Sequence, residues 1–169
     1  MIDLIFIFGA KYLFVLSCII AGWYFLTQSR PQQKKLVIFG LLSFILAYLL
    51  ATLANHIYYD PRPFVVDGIA PLIPHAPDNG FPSDHTLLVS AIAAVFCFFN
   101  KKISAWLWII ALCVGISRVY VGVHHITDIV GSIAISIVST YIVYWLFKKV
   151  PACAGRHPQK DIRKLEDTL

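Results

Sequence analysis

The sequence predicts an all-α fold: a polytopic membrane bundle of about five transmembrane helices, preceded by a short N-terminal interfacial helix. Of its 169 residues, 59% are hydrophobic and only 14% are charged, whereas soluble domains carry about a quarter charged residues. The apolar residues fall into five runs that approach the roughly 20 residues a helix needs to cross a bilayer. Composition and run length together predict an integral membrane protein.

The predicted elements follow one another within residues 1–150, which we expect to form a single membrane-embedded domain. The interfacial helix is expected over 2–9. The five spans are expected over 12–27, 36–54, 84–99, 103–118 and 126–147. The third and fourth are short for spanning helices. Residues 151–169 are polar, and we predict a mobile cytoplasmic tail there.

The charges of the connecting segments predict the orientation of the bundle. The formal net charge is +5, but the basic residues lie in short loops and in the tail, so we expect no nucleic-acid partner. Alternate loops, beginning with the basic turn 28–35, place 11 of the 14 lysines and arginines on one side. The positive-inside rule makes this side cytoplasmic. The loop 55–83 and the junction of the last two spans then lie on the extracytoplasmic face of a plasma membrane.

Three polar segments are predicted at that outer end. YYDPRPF follows the second span, GFPSDHT opens the third, and SRVYVGVHHITD joins the fourth and fifth. They bring eight notable side chains to one end of the bundle: Arg62, Ser83, Asp84, His85, Arg118, His124, His125 and Asp128. An ionisable group at membrane depth costs about 2.5–3.5 kcal/mol on insertion scales, so such groups usually line a cavity or pair with one another. An ion pair between Arg118 and Asp128 would not account for the whole set.

The chemistry of these side chains indicates phosphoryl transfer. Two guanidinium groups match phosphate oxygens, and the start of the third span adds the Ser83 hydroxyl and free backbone N–H groups. A carboxylate near a histidine can fix its tautomer and leave the other ring nitrogen as a nucleophile. His85 can protonate a leaving oxygen.

Two histidines compete for the role of nucleophile. His124 lies four residues before Asp128 and His125 lies three residues before it, and either spacing permits contact on a helix. The spacing therefore leaves both histidines open.

A metal centre is the alternative use of these histidines and aspartates. Two arginines in the same pocket would repel a cation, and HHITD has no familiar ligand spacing. We therefore expect neither a metal nor a cofactor. His56 and His75 are predicted to be loop histidines rather than ligands.

The three segments resemble, in order, the motifs of the type 2 phosphatidic acid phosphatase superfamily. SRVYVGVHHITD fits S-R-x5-H-x3-D, FPSDH resembles P-S-G-H, and the spacing to DPRP resembles K-x6-R-P, so the resemblance covers residues 55–128. It implies a helical bundle in which His124 is the nucleophile, Asp128 orients it and His85 is the general acid.

The same resemblance implies that Arg62, Ser83 and Arg118 hold the phosphate. Two positions depart from the pattern: Asn55 stands where the motif has lysine, and Asp84 stands where it has glycine. Both resemble the bacterial subgroup that acts on undecaprenyl diphosphate, and we include both as candidate substrate-binding residues.

By this resemblance, we expect a phosphatase that converts a polyprenyl (undecaprenyl) diphosphate in the membrane to the monophosphate through a phosphohistidine, serving carrier-lipid recycling for cell-wall synthesis. Two alternatives are a phosphatidylglycerophosphate or phosphatidic acid phosphatase, and a non-catalytic anion-binding carrier or scaffold. The oligomeric state does not follow from the sequence.

Overall fold

The structure, a computed structural model, describes residues 1–149 and is all-α, as predicted. Its helices are α1 (Ile2–Thr27), α2 (Arg30–Ile57), α3 (Pro63–Val66), α4 (Asp84–Phe96), α5 (Lys101–Tyr120) and α6 (Ile126–Lys149). Within the described residues, the only extended pairing is an isolated bridge between Pro61 and Asn79. The predicted tail, 151–169, lies outside the described residues.

The first helix differs from the prediction, because the interfacial helix and the first span form one continuous helix, α1. Gly9 and Ala10 are buried where α1 packs against the end of α5. A Cβ atom at Gly9 would overlap the hydroxyl of Ser117. The small residues therefore let two helices approach closely, and they do not interrupt α1.

The predicted basic turn 28–35 is also shorter in the structure, since α2 begins at Arg30. Pro31 lies in the first turn of α2, where its missing N–H group has no intrahelical partner to lose. At the start of α5, the side chain of Asn100 accepts hydrogen bonds from the N–H groups of Lys102 and Ile103, both at 3.1 Å. Pro31 and the Asn100 cap explain why α2 and α5 begin before the apolar runs predicted at 36–54 and 103–118.

Four helices, α1, α2, α5 and α6, are long and apolar enough to cross a membrane, whereas α4 is shorter. The prediction of five full spans is therefore wrong in the length of the third, which ends at Phe96 instead of residue 99. Its 13 residues extend about 20 Å, less than the roughly 30 Å of a hydrocarbon core. Ten of them are buried among the four long helices, so the bilayer thickness does not set the length of α4.

The ends of the helices show that the three polar segments meet. Thr127, in the third polar segment, donates a hydrogen bond to Asp60 in the first (2.9 Å). Ser132, in α6, donates to the carbonyl of Ser83, which precedes α4 (2.9 Å). The side-chain amide of Asn55, near the end of α2, donates a hydrogen bond to the carbonyl of Phe81, just before α4 (2.7 Å). The predicted convergence at one end of the bundle is confirmed.

Candidate active site

A buried histidine–aspartate pair lies where the chain enters α6. His124 is in the loop before the helix, and Asp128 is in its first turn. The Nδ1 atom of His124 lies 3.1 Å from Oδ2 of Asp128, and the two residues are 3% and 0% exposed. The same oxygen accepts from the backbone N–H of His125 (2.9 Å). Of the two competing histidines, His124 is the one whose ring bonds to the aspartate.

Two arginines lie on the other side of the His124 ring. Nη1 of Arg62 is 3.3 Å from Nε2 of His124, and Nη2 of Arg118 is 3.2 Å from it. A guanidinium group only donates hydrogen bonds, so Nε2 must present a lone pair, and the ring proton is assigned to Nδ1. Arg62 is held in place by Asp78 (2.6 Å) and by the carbonyl of Val123 (2.8 Å).

Arg118 is a buried cation that has no carboxylate in direct contact within residues 1–149. The side chain is 3% exposed, and none of the acidic groups in residues 1–149 lies within 4.0 Å of it. Its Nε atom is buried without a hydrogen-bond partner. Because leaving a buried charge unpaired is strongly unfavourable, this arrangement suits an anion with several oxygens.

The start of α4 adds groups to the same region. Ser83 occupies the N-cap position and is fully buried. Its hydroxyl makes no capping hydrogen bond to α4; instead it accepts from the hydroxyl of Thr86 (3.2 Å). The first N–H groups of a helix lack intrahelical partners and favour an anion. Ser83 therefore lies where a phosphate oxygen can meet both a hydroxyl and backbone donors.

His85 follows directly in the first turn of α4. Its ring packs edge-on against Phe14, with ring centroids 5.3 Å apart. It lies within electrostatic range of Arg118 and His124. The structure therefore places the predicted general acid within electrostatic range of the predicted nucleophile.

Asn55 and Asp84, the two departures from the motif pattern, lie differently. The amide of Asn55 donates to the carbonyl of Phe81 (2.7 Å), so it holds the main chain just before the start of α4. Asp84 is exposed and lies within electrostatic range of Arg118. Of the two, Asp84 is the one that carries a charge, and that charge acts on Arg118.

The loop before α4 contains positioning residues that the sequence did not reveal. The side-chain oxygen of Asn79 accepts from the N–H groups of Asp60 (2.9 Å) and Phe81 (3.0 Å). A Cβ atom at Gly80 would lie 3.0 Å from Oδ2 of Asp128, tighter than ordinary van der Waals contact. Asn and Gly are typical turn residues, but their sequence positions gave no sign of a contact with α6.

A second missed residue is His75, which was predicted to be an ordinary loop histidine. It does lie in the loop, but its ring centroid is 6.1 Å from that of His124. Burial lowers the pKa of His75, and the charges of Arg62 and Arg118 lower it further. His75 therefore stands within the field of the two arginines, although it lies outside the three motif segments.

One group of side chains could bind a cation. One potential ligand atom from each of Asp60, His125 and Asp128 lies within 4.8 Å of the others, and Nδ1 of His125 is 3.3 Å from Oδ1 of Asp60. The group shares Asp128 with the His124–Asp128 pair and lies on the Nδ1 side of the His124 ring, away from Nε2.

The surroundings of His124 also set its protonation state. Burial lowers the pKa of its imidazole, the charges of Arg118 and Arg62 act in the same direction, and the hydrogen bond to Asp128 opposes the shift. The neutral ring is therefore favoured at neutral pH. A neutral imidazole with a free lone pair beside two guanidinium groups can attack a bound phosphorus atom.

The family profile described as the PAP2 superfamily matches residues 35–151 of this chain, a range that includes all three polar segments. The chain belongs to the PAP2 superfamily. The resemblance drawn from the motifs is thereby confirmed, and the PAP2 chain is a membrane lipid phosphatase.

Two curated relatives and one solved structure support this assignment. The PAP2 chain is 37% identical over 146 residues to the undecaprenyl-diphosphatase BcrC of Bacillus subtilis, covering 85% of this chain and 74% of that protein. It is 32% identical over 145 residues to the bacitracin transport permease protein BcrC of Bacillus licheniformis, covering 85% and 70%. The crystal structure of Aquifex aeolicus LpxE superposes with a TM-score of 0.70 at 26% identity, covering 85% of this chain and 86% of that one.

Proposed function

We propose that this PAP2 protein hydrolyses a polyprenyl diphosphate, undecaprenyl diphosphate by preference, to the monophosphate and inorganic phosphate. One observation carries the proposal: Nε2 of His124 lies 3.2–3.3 Å from two arginine donors while Nδ1 bonds to the buried Asp128. An acceptor nitrogen surrounded by phosphate-binding groups has the arrangement that a phosphohistidine intermediate needs. The name of the Bacillus subtilis relative favours a diphosphate lipid.

In the first step, Nε2 of His124 attacks the terminal phosphorus of the lipid diphosphate. The new N–P bond forms as the bond from that phosphorus to the bridging oxygen breaks. His85, which takes up a proton as the negatively charged diphosphate binds beside it, gives that proton to the bridging oxygen, and the lipid monophosphate leaves. Arg62 and Arg118 move their hydrogen bonds from Nε2 to the phosphoryl oxygens, where the negative charge is spread.

In the second step, water attacks the phosphorus of the phosphohistidine. His85, now neutral, accepts a proton from the water. The N–P bond breaks, its electron pair returns to Nε2 of His124, and inorganic phosphate is released. Throughout both steps Asp128 holds the proton on Nδ1, so that Nε2 remains the reacting atom.

An apolar groove beside the site supports a lipid substrate. A cavity of about 390 Å³ lies between the end of α5 and the start of α6. Its lining residues lie before and after Arg118 and Asp128 in the chain: Gly115, Ile116, Val119, Tyr120, Ile126 and Ile129. Such a groove can receive the first isoprene units while the diphosphate reaches the arginines.

The charge asymmetry supports an extracytoplasmic site. Arg30, Lys34 and Lys35 start α2, and Lys101 and Lys102 start α5, both at the end of the bundle opposite the pocket. By the positive-inside rule that end faces the cytoplasm. Phosphate release on the outer face would regenerate the monophosphate carrier lipid for cell-wall synthesis.

A phosphate-release assay on the purified protein tests the substrate. With undecaprenyl diphosphate, phosphatidylglycerophosphate and phosphatidic acid supplied side by side, we expect the highest kcat/KM for the diphosphate. The exposed His56, whose ring bonds only to the carbonyl of Thr52 in residues 1–149, provides a control variant, His56→Ala, with wild-type rates. A faster reaction with either phospholipid would reassign the substrate.

The same assay in the presence of a chelator tests the role of metals. Because the mechanism uses arginines to hold the phosphate, we expect EDTA to leave the rate within about twofold of its original value. A loss of activity that added Zn²⁺ or Mg²⁺ restores would instead assign a cation to Asp60, His125 and Asp128.

A further inference from the structure

The geometry points to His75 as part of a second phosphate subsite, which binds the phosphate that remains on the lipid and so selects diphosphates over monophosphates. This inference rests on the proposed function. It assigns a role to a residue outside the three sequence motifs.

His75 lies just outside the groups that contact the nucleophilic nitrogen directly. The arginine donors lie 3.2–3.3 Å from Nε2 of His124, in direct contact with the site of attack. The His75 ring is farther out, with its centroid 6.1 Å from that of His124 and the two ring planes at 75°. It is partly exposed, so a ligand can reach it.

The fold does not need the His75 ring to hold the loop in place. Asp78 is anchored by Arg62, the N–H of Leu72 donates to the carbonyl of Val121 (3.0 Å), and Ile73 is buried in a cluster with Val121.

The ring itself has little bonding to the protein. In residues 1–149 its one hydrogen bond joins Nδ1 to the carbonyl of the adjacent Ala76, at 3.3 Å. The loop therefore presents an imidazole toward the pocket with its Nε2 atom free of hydrogen bonds to residues 1–149.

The chemistry of a diphosphate gives this ring a partner. The terminal phosphate, which is transferred to His124, takes up the donors of Arg62 and Arg118. The second phosphate lies one bridging oxygen away and carries its own negative charge. The imidazole of His75, one layer beyond the arginines, can donate to it through Nε2–H when the ring proton is on Nε2, which gives up only the 3.3 Å hydrogen bond from Nδ1 to the carbonyl of Ala76. A lipid monophosphate has no group at this place.

Inhibition by small anions tests the subsite without depending on the lipid chain. We would measure competitive inhibition constants of methylenediphosphonate and inorganic phosphate for the wild type and His75→Ala, using one assay substrate. Because the variant loses a charge-assisted hydrogen bond, its inhibition constant for methylenediphosphonate should rise by about 10- to 100-fold. The constant for inorganic phosphate should change less than about twofold, and kcat/KM for polyprenyl diphosphate should fall in parallel with diphosphonate binding.

Two further variants keep the test clear. His75→Asn retains a side-chain donor and should recover part of the diphosphonate affinity, while His56→Ala should match the wild type in both constants. Thermal unfolding of each variant checks that the bundle is intact. An equal rise in the inhibition constants of both anions would place His75 at the transferred phosphate. No rise in either constant would show that His75 is not part of the site. Either result overturns the inference.

Failure of the proposed function gives a different pattern. In that case the wild type releases phosphate from lipid monophosphates but not from polyprenyl diphosphate, and methylenediphosphonate binds no better than phosphate. The wild type could instead hydrolyse the diphosphate while His75→Ala keeps the wild-type ratio of the two inhibition constants. The proposed function would then stand, and only the His75 subsite would be rejected.

Discussion

His124→Gln is expected to reduce phosphate release from polyprenyl diphosphate by at least about 10⁴-fold, because the variant lacks the atom that attacks phosphorus. Glutamine has a similar volume and can still hydrogen-bond to Asp128 and the arginines, so the fold should persist. Substrate binding should persist too, since Arg62 and Arg118 are unchanged. The measurement is kcat and KM for phosphate release, with a binding assay for the unreacted lipid.

The neighbouring histidine supplies the discriminating comparison. Only the backbone N–H of His125 bonds to Asp128, and its ring lies beside Asp60. His125→Gln should therefore keep measurable turnover and form the covalent intermediate. If His125→Gln loses activity as completely as His124→Gln, or if His124→Gln keeps it, the assignment of the nucleophile is wrong.

Asp128→Asn is expected to lower kcat/KM by about 10³- to 10⁴-fold, the scale seen when a catalytic histidine loses the carboxylate that fixes its tautomer. An asparagine amide can donate to Nδ1, which would move the ring proton to Nε2 and remove the nucleophilic lone pair. The substitution changes few atoms, so the loss should appear in the rate and much less in the unfolding temperature.

The pH profile of kcat/KM for Asp128→Asn gives a second test, because the direction of its shift can be predicted. The hydrogen bond that His124 donates to Asp128 raises the pKa of His124 against the effect of burial, so its loss lowers that pKa further. Since the neutral imidazole is the reactive form, activity is lost as the pH falls through this pKa. The acidic limb of kcat/KM should therefore move to lower pH in the variant while the plateau falls. Asp67→Asn, at an exposed aspartate, is the matched control and should leave both unchanged.

Much of the fold followed from the sequence because membrane helices have a strong compositional signal. The runs at 36–54 and 126–147 lie inside α2 and α6, and the alternation of helices brings the polar segments to one end. The helix α4 was predicted too long, because a helix enclosed by other helices is as apolar as a spanning helix. Its end is set by packing against neighbours, which hydropathy does not report.

The site was predictable only where residues are close in sequence or belong to a motif. The spacing of His124 and Asp128 predicted their contact but could not distinguish it from one with His125; the structure distinguishes them, because α6 begins after both histidines. The part played by His75 depends on a loop fold held by Arg62, Asp78 and buried apolar contacts. No periodicity relates such a loop to a histidine about fifty residues later in the chain.

Identification of the phosphorylated atom tests the central claim most directly. Rapid quenching of the wild type with lipid diphosphate labelled in the terminal phosphate should trap an acid-labile, alkali-stable phosphoryl group. Peptide mapping and ³¹P NMR should place it on Nε2 of His124, because Nδ1 faces Asp128 at 3.1 Å. Full turnover with no phosphoenzyme at any quench time, or with the label on another residue, would contradict the account.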